Sequence, residues 1–388
     1  MPALVILKDM KKIAFVLTTI NVPKLFDGYI DNMRKNGHSE NIHIDFVVIG
    51  DTKTPEECGA YVRSLKGDNY EGIYLSVDDQ KVFLKPYPEL EKLLPYRSVQ
   101  RRNIGTLLAY QRGNEVIIQL DDDNFSTEDD WVKYFSLIGE NSEFDEVNSS
   151  SSWYNVCDLL KLDPQRPIYH RGYPHDKRWV KEDYDWRKVS GKRVVVNAGL
   201  WLESPDVDAL THLDGPTKSL GFKDPNQVQV ALAKHTYCPF NTQNTAFHKD
   251  LLPAMYCLIM GKEISRVYVE RYDDIWLSYF IKKIADHMND LVVFGRPLAA
   301  HMRNAHSFVK DMKAEADGII ITNKLIKTLE DIQLSGTTYL NCYKELILGL
   351  KEKISSDENY TDNEKAYLED LTNGMQIWAD VCEKVINN

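Results

Sequence analysis

The feature that most constrains this chain is a strand-like run, EVIIQL at 115–120, that ends in three consecutive aspartates, Asp121, Asp122 and Asp123. Long apolar and β-branched residues in so short a run suit a buried strand. Three adjacent carboxylates at its end repel one another and are costly to desolvate unless a cation neutralises them. Mg²⁺ or Mn²⁺ takes oxygen ligands and shares its coordination shell with substrate phosphates, and no Cys/His cluster competes for that role. A solvated acidic loop is the plain alternative. In open α/β sheets, however, ligands collect beyond the carboxyl ends of strands, so the position after EVIIQL favours a metal and diphosphate site. Asp121 and Asp123 are the expected metal ligands, and Asp121 and Asp122 are expected to face the bound phosphate group.

The surrounding text fits an α/β frame. IAFVLTT at 13–19 and IDFVVI at 44–49 flank helix-like sequence at 25–33, which opens a βαβ pattern. A strand at 72–77 and a helix at 96–111 then lead to the acidic strand. RVVVNAGLWL at 193–202 and the run at 291–294 are further strands, 272–288 reads as an amphipathic helix, and the polar, aromatic stretch 142–192 as a long functional loop. Farther on, Tyr339, Tyr343, Leu346, Leu350 and Ile354, then Trp378, Val381 and Val385, recur at helical spacing. The expected division is a catalytic domain at 1–314 and a helical extension at 315–388, with 355–364 joining the last two helices.

Composition narrows the partners. A net charge of −11 over 388 residues argues against nucleic acid, whose phosphates want a basic face. Six scattered cysteines without CxxC spacing read as reduced thiols in a cytoplasmic protein. The lysines at 8, 11 and 12 break up any signal-peptide core. The longest apolar stretch, at 251–261, falls short of the roughly 20 residues a membrane span needs.

Other residues can serve the acidic site. His301 and His306, in HMRNAH, could each lend an imidazole to the same metal, His301 being the better placed after its strand. Arg101 and Arg102, near a helix start, could grip a diphosphate through bidentate guanidinium contacts, or could be an ordinary basic helix end. Asp51, just past its strand, could accept from a base or ribose, although Asp is common at such junctions for turn reasons. HRGYPHDKR at 170–178 is either an anion site or a solvated basic loop. Asp273 and Asp274 open a helix, where the dipole accounts for one of them and leaves the other for sugar or catalysis.

These blocks resemble the reversibly glycosylated polypeptides of plants, which act as UDP-arabinopyranose mutases, together with their bacterial relatives. The likeness rests on QLDDDNF at 119–125, RGYP at 171–174 with Arg178 beyond it, NAGLWLESPDVDALTHL at 197–213, NTAFHKDLLPAMY at 244–256, RYDDIW at 271–276 and HMRNAHSFV at 301–309, in family order. The resemblance implies a glycosyltransferase A-type fold, a divalent cation at the aspartates, and a UDP-sugar whose ring is interconverted between pyranose and furanose forms. It implies that Arg171 is the reversibly glycosylated residue or its close partner, with Arg178 in support, Asp273 and Asp274 assisting, and Trp201 at the nucleotide-sugar. The chain departs from the plant pattern at His175, Asp176 and Lys177, where the plant proteins have FSL. A transferase passing its sugar to a glycan, lipid or protein is the rival expectation, with Trp153, Trp179 and Trp186 as an acceptor surface. A scaffold or self-glycosylated primer that assembles as a homo-oligomer through the helical stripe is the third.

Overall fold

Alternation along the first strand splits the core in two. In Lys11–Thr18, Ala14 and Val16 join one hydrophobic cluster, and Ile13 and Phe15, with Leu17, join another. Burial on both faces marks a strand inside a sheet covered by helices on each side. In this computed structural model, which describes residues 10–304 and 307–387, that strand pairs in parallel with Ile42–Ile49 and with Val116–Leu120. Tyr70–Leu75 extends the parallel half. Beyond Val116–Leu120 the sheet turns mixed: Asn244–His248 is antiparallel to it, then come Val194–Glu203, Leu291–His301, Gln229–Leu232, Phe144–Ser149 and Tyr184–Val189. The α/β architecture read from the sequence is present, with a large central sheet, flanking helices and further helices towards the C-terminus.

One face is covered by Leu25–Lys35 and Trp131–Phe135, where the Phe15 ring meets those of Tyr29 and Trp131 at 5.0 Å each. The other carries Arg102–Gln111, Asp273–Met288 and the C-terminal helices. Trp378 of Asp362–Ile386 stacks on Tyr256, 5.6 Å between centroids, and its indole N–H donates to the carbonyl of Pro253 at 3.1 Å.

Three expectations change. The stretch 142–192 is not one loop, since it contains Phe144–Ser149 and Tyr184–Val189 paired antiparallel at the sheet margin. The second of these is an edge strand with mostly exposed, charged side chains, so it lacks apolar alternation. The helix Asp273–Met288 is buried almost all round rather than amphipathic, and Lys282 within it is matched by Asp286 and the Ala233 carbonyl. The first C-terminal helix is Phe308–Asp331, beginning before residue 315, so it crosses the expected division between domain and extension. Of the candidate ligands, His306 lies outside the described residues.

Candidate functional site

Because three neighbouring strands run parallel, their carboxyl ends bring Thr19, Asp51 and the aspartate triplet to one edge of the sheet. With Asn21, Lys53, Arg97, Arg102 and Asn304 they line a cleft of about 700 Å³. Each aspartate there has its own partners. Asp121 takes the guanidinium of buried Arg102, which also donates to the Thr242 carbonyl at 2.9 Å and hydroxyl at 2.7 Å. Asp122 accepts from the Thr19 hydroxyl at 2.6 Å and from Asn21 at 3.0 Å. Asp123 accepts from Asn124 at 3.0 Å and from the Asn304 side chain at 3.3 Å.

His301 completes this end. Its Nδ1 lies 2.7 Å from the Ser204 carbonyl, which can only accept, so Nδ1 carries the proton and Nε2 is left facing Asp123 Oδ2 at 3.6 Å. A ring fixed in this way by a backbone carbonyl is how metal-binding histidines are oriented. Burial pulls the His301 pKa down, but the Asp123 carboxylate more than offsets it and the net shift is upward. Burial raises Asp121, and Arg102 only partly counters it. The ligand atoms of Asp121, Asp123 and His301 do not all come within 4.8 Å of one another, Asp121 being drawn to Arg102. Among the described residues only His43, Asp45 and Glu71 cluster so closely, near the amino ends of their strands, and the Arg112 guanidinium already pairs with both carboxylates.

Two predicted contacts are turned to other work. Asp51 reaches the cleft, yet its carboxylate accepts the backbone N–H groups of Arg97 at 2.5 Å and Ser98 at 3.2 Å, fastening that loop. Arg101 is not at the cleft. It donates to Gln80 at 2.7 Å and the Leu94 carbonyl at 3.3 Å, and its guanidinium covers the Tyr96 ring at 4.2 Å. Successive residues of a helical turn diverge by about 100°, so only one of the two arginines can face the acid.

The second half of the site surrounds Arg171, which is 4% exposed. Asp206 takes its Nε and Nη2 in a fork, both at 3.0 Å, and Asp274 takes Nη1 at 3.2 Å and Nη2 at 3.3 Å. Burial works against the charge of Arg171, but these carboxylates hold its pKa well above the ordinary value. Arg178 pairs with Asp208, which also meets His175 at 3.0 Å and caps the short helix Ala209–Asp214 through the Thr211 N–H at 2.8 Å. Burial and the charge of Asp274 push Asp273 up to about 7, and Gln100 approaches it at 3.4 Å. Trp201 is buried with its ring 5.2 Å from His170, and its indole N–H has no partner among the described residues.

The loop 241–243 joins the halves. Thr242 receives Arg102 and donates its backbone N–H to Asp274 at 3.2 Å, Asn241 donates to Asp206 at 2.8 Å, and the Gln243 carbonyl accepts from the Asp121 N–H at 3.1 Å. A continuous polar path therefore runs from Asp121 through Arg102, Thr242 and Asp274 to Arg171.

The sequence profile of the reversibly glycosylated polypeptides matches residues 45–387. The chain belongs to that family. Among its relatives, UDP-arabinopyranose mutase 2 of Arabidopsis thaliana is 31% identical over 275 residues, 69% of this chain and 68% of its own. UDP-arabinopyranose mutase 1 of the same plant is 30% identical over 69% of each. S. aureus TarS 1-349 aligns with 97% of this chain and 92% of its own at a TM-score of 0.34 and 10% identity, a loose likeness only.

In this member of the family the residues that sequence reasoning passed over are Asp206, Asp208 and the loop 241–243. The two aspartates sit in SPDVDALT, where Asp208 reads as a helix cap, a role it does fill. The one available signal was pairing by number: two arginines in one loop, if buried, require counter-charges, and this segment offers two.

Proposed function

We propose that the chain is a divalent-metal-dependent nucleotide-sugar mutase that interconverts the pyranose and furanose forms of a UDP-sugar. The observation that carries the reading is the polar path from Asp121 to Arg171, which sets an acidic cleft beside a buried arginine clamp. The names of the relatives, UDP-arabinopyranose mutases, supply the substrate class. The mixed sheet with acidic residues beyond a strand end supports a glycosyltransferase A-type fold, with 1–314 as the catalytic part and 315–388 as a helical extension that starts within the helix Phe308–Asp331 and shares its core. The cytoplasm is the proposed location.

The oxygen and imidazole donors fit Mn²⁺ or Mg²⁺, which Asp121, Asp123 and His301 would hold; when bound, such an ion supplies positive charge beside the departing diphosphate. The chain's own residues do the rest. Lys53 and Arg97 line the cleft and offer further cations to the phosphates. Ring contraction requires the anomeric carbon to part from UDP, the ring to reopen, and UDP to recapture the sugar. Arg171 is placed to hold the glycosyl group between those events, so that water does not take it. Arg178 fixes the loop that carries Arg171, and Trp201 offers beside it a donor with no partner among the described residues. Asp273, poised near neutrality, is suited to move a proton on and off a sugar hydroxyl.

The test is incubation with Mn²⁺ and UDP-arabinopyranose, followed by separation of nucleotide sugars from free UDP. A UDP-furanose peak without stoichiometric UDP supports the mutase. UDP release only on adding a glycan, lipid or protein acceptor overturns it in favour of a transferase. That second reading has one observation behind it: Trp179, next to Arg178, is 90% exposed and offers a flat ring on which an acceptor sugar could stack, whereas Trp153 is buried.

A further inference from the structure

We infer that Asp206 is the positioning residue that keeps Arg171 aimed at the anomeric carbon, while Asp274 accepts the proton Arg171 must give up; this rests on the mutase reading above, with Arg171 as the glycosyl carrier. A guanidinium has five N–H groups and no free lone pair. All five are engaged here: Nε and Nη2 on Asp206, Nη2 and Nη1 on Asp274, and Nη1 on the Arg271 carbonyl. As it stands the group cannot attack, so one terminal nitrogen must release a proton as it forms its new bond.

The two carboxylates are not equivalent. Asp206 grips the side of the guanidinium that includes Nε, at 3.0 Å twice, and is itself tied down by Asn241 at 2.8 Å. The backbone doubles the link, the Arg171 N–H donating to the Asp206 carbonyl at 2.9 Å. Asp274 instead approaches the two terminal nitrogens at longer range, and its Oδ2 is shared with the Thr242 N–H. Release therefore belongs at Nη1. The Nη1–C1 bond forms, the C1–O bond to the β-phosphate breaks with its electron pair leaving on UDP, and the Nη1 proton passes to Asp274 Oδ1. The product is still a guanidinium cation, balanced by Asp206, which keeps Nε and Nη2 throughout. Recapture by UDP runs the same transfers backwards.

The experiment compares Asp206→Asn and Asp206→Glu with the natural enzyme supplied with UDP-arabinopyranose and Mn²⁺. It measures kcat, KM and UDP affinity, and by peptide mass the glycosyl adduct at Arg171 per bound UDP, a ratio that counts only folded molecules. Asp206→Asn is expected to leave UDP affinity and KM within about twofold while kcat and adduct formation fall about 100-fold, the scale of a 1 Å misplacement. Asp206→Glu, which keeps the charge, is expected to recover about tenfold of that loss. Unchanged adduct and kcat in Asp206→Asn overturns the assignment, and so does equal impairment of the two variants, which would make Asp206 a packing residue only. Absence of both adduct and UDP-furanose in the natural enzyme overturns the mutase reading beneath it.

Discussion

At Asp273 a carboxylic acid keeps its proton up to about pH 7 because burial and the Asp274 charge oppose ionisation. Between its ordinary value of 3.8 and about 7 the folded chain holds a proton that the unfolded chain has lost, so stability falls as pH rises through that window and levels off above it. Asp273→Asn removes this slope, and its Tm between pH 5 and 8 is expected to fall less than that of the natural protein. Arg171→Ala leaves buried carboxylates without their cation, at a cost of about 3–5 kcal/mol. Calorimetry should show a lowered Tm, and UDP titration at the adjoining cleft should show binding retained while turnover is lost. Asp123→Ala is expected to abolish Mn²⁺-dependent UDP binding with the fold intact by circular dichroism, and unchanged binding would remove the metal from this site. The aspartate triplet was legible because its meaning is local, three charges directly after an apolar strand. Asp206 was not, because its partner lies 35 positions away and only the folded chain brings them together.

Among elements, the loop carrying Arg171 depends on its neighbour Gly172, whose φ of +87° is left-handed and whose missing Cβ would meet Ile275 Cγ2 at 2.2 Å. The Tyr279 hydroxyl also donates to the Gly172 carbonyl at 2.7 Å, seating the loop on the helix Asp273–Met288. Gly172→Ala is expected to cost about 1–3 kcal/mol of backbone strain. By displacing the guanidinium it should lower kcat more than KM, readable by steady-state kinetics beside a melting curve. The strands and helices at 13–49 and 115–120 were readable because their apolar spacing is strong. Tyr184–Val189 was not, since an exposed margin strand has no buried face to declare itself. Arg101 and Arg102 were read alike because sequence does not reveal the rotation of the turn between them.

Taken whole, the molecule packs its C-terminal helices into the core of its sheet. Residues of Tyr339–Ser356 and Asp362–Ile386 belong to the same cluster as Ala14, Val16 and Ile117, so the helical periodicity seen in the sequence is the imprint of the main core rather than of a free-standing bundle. Trp378→Ala is expected to cost about 3–5 kcal/mol, measurable by denaturant unfolding. A chain cut at residue 338 should be digested by proteases where the natural protein resists. Trp378 against Tyr256 has a further consequence in time. While the protein is being synthesised, the surface that will receive this helix stays wet from the moment residue 256 emerges until residue 378 follows it, so a nascent chain must be shielded across that interval.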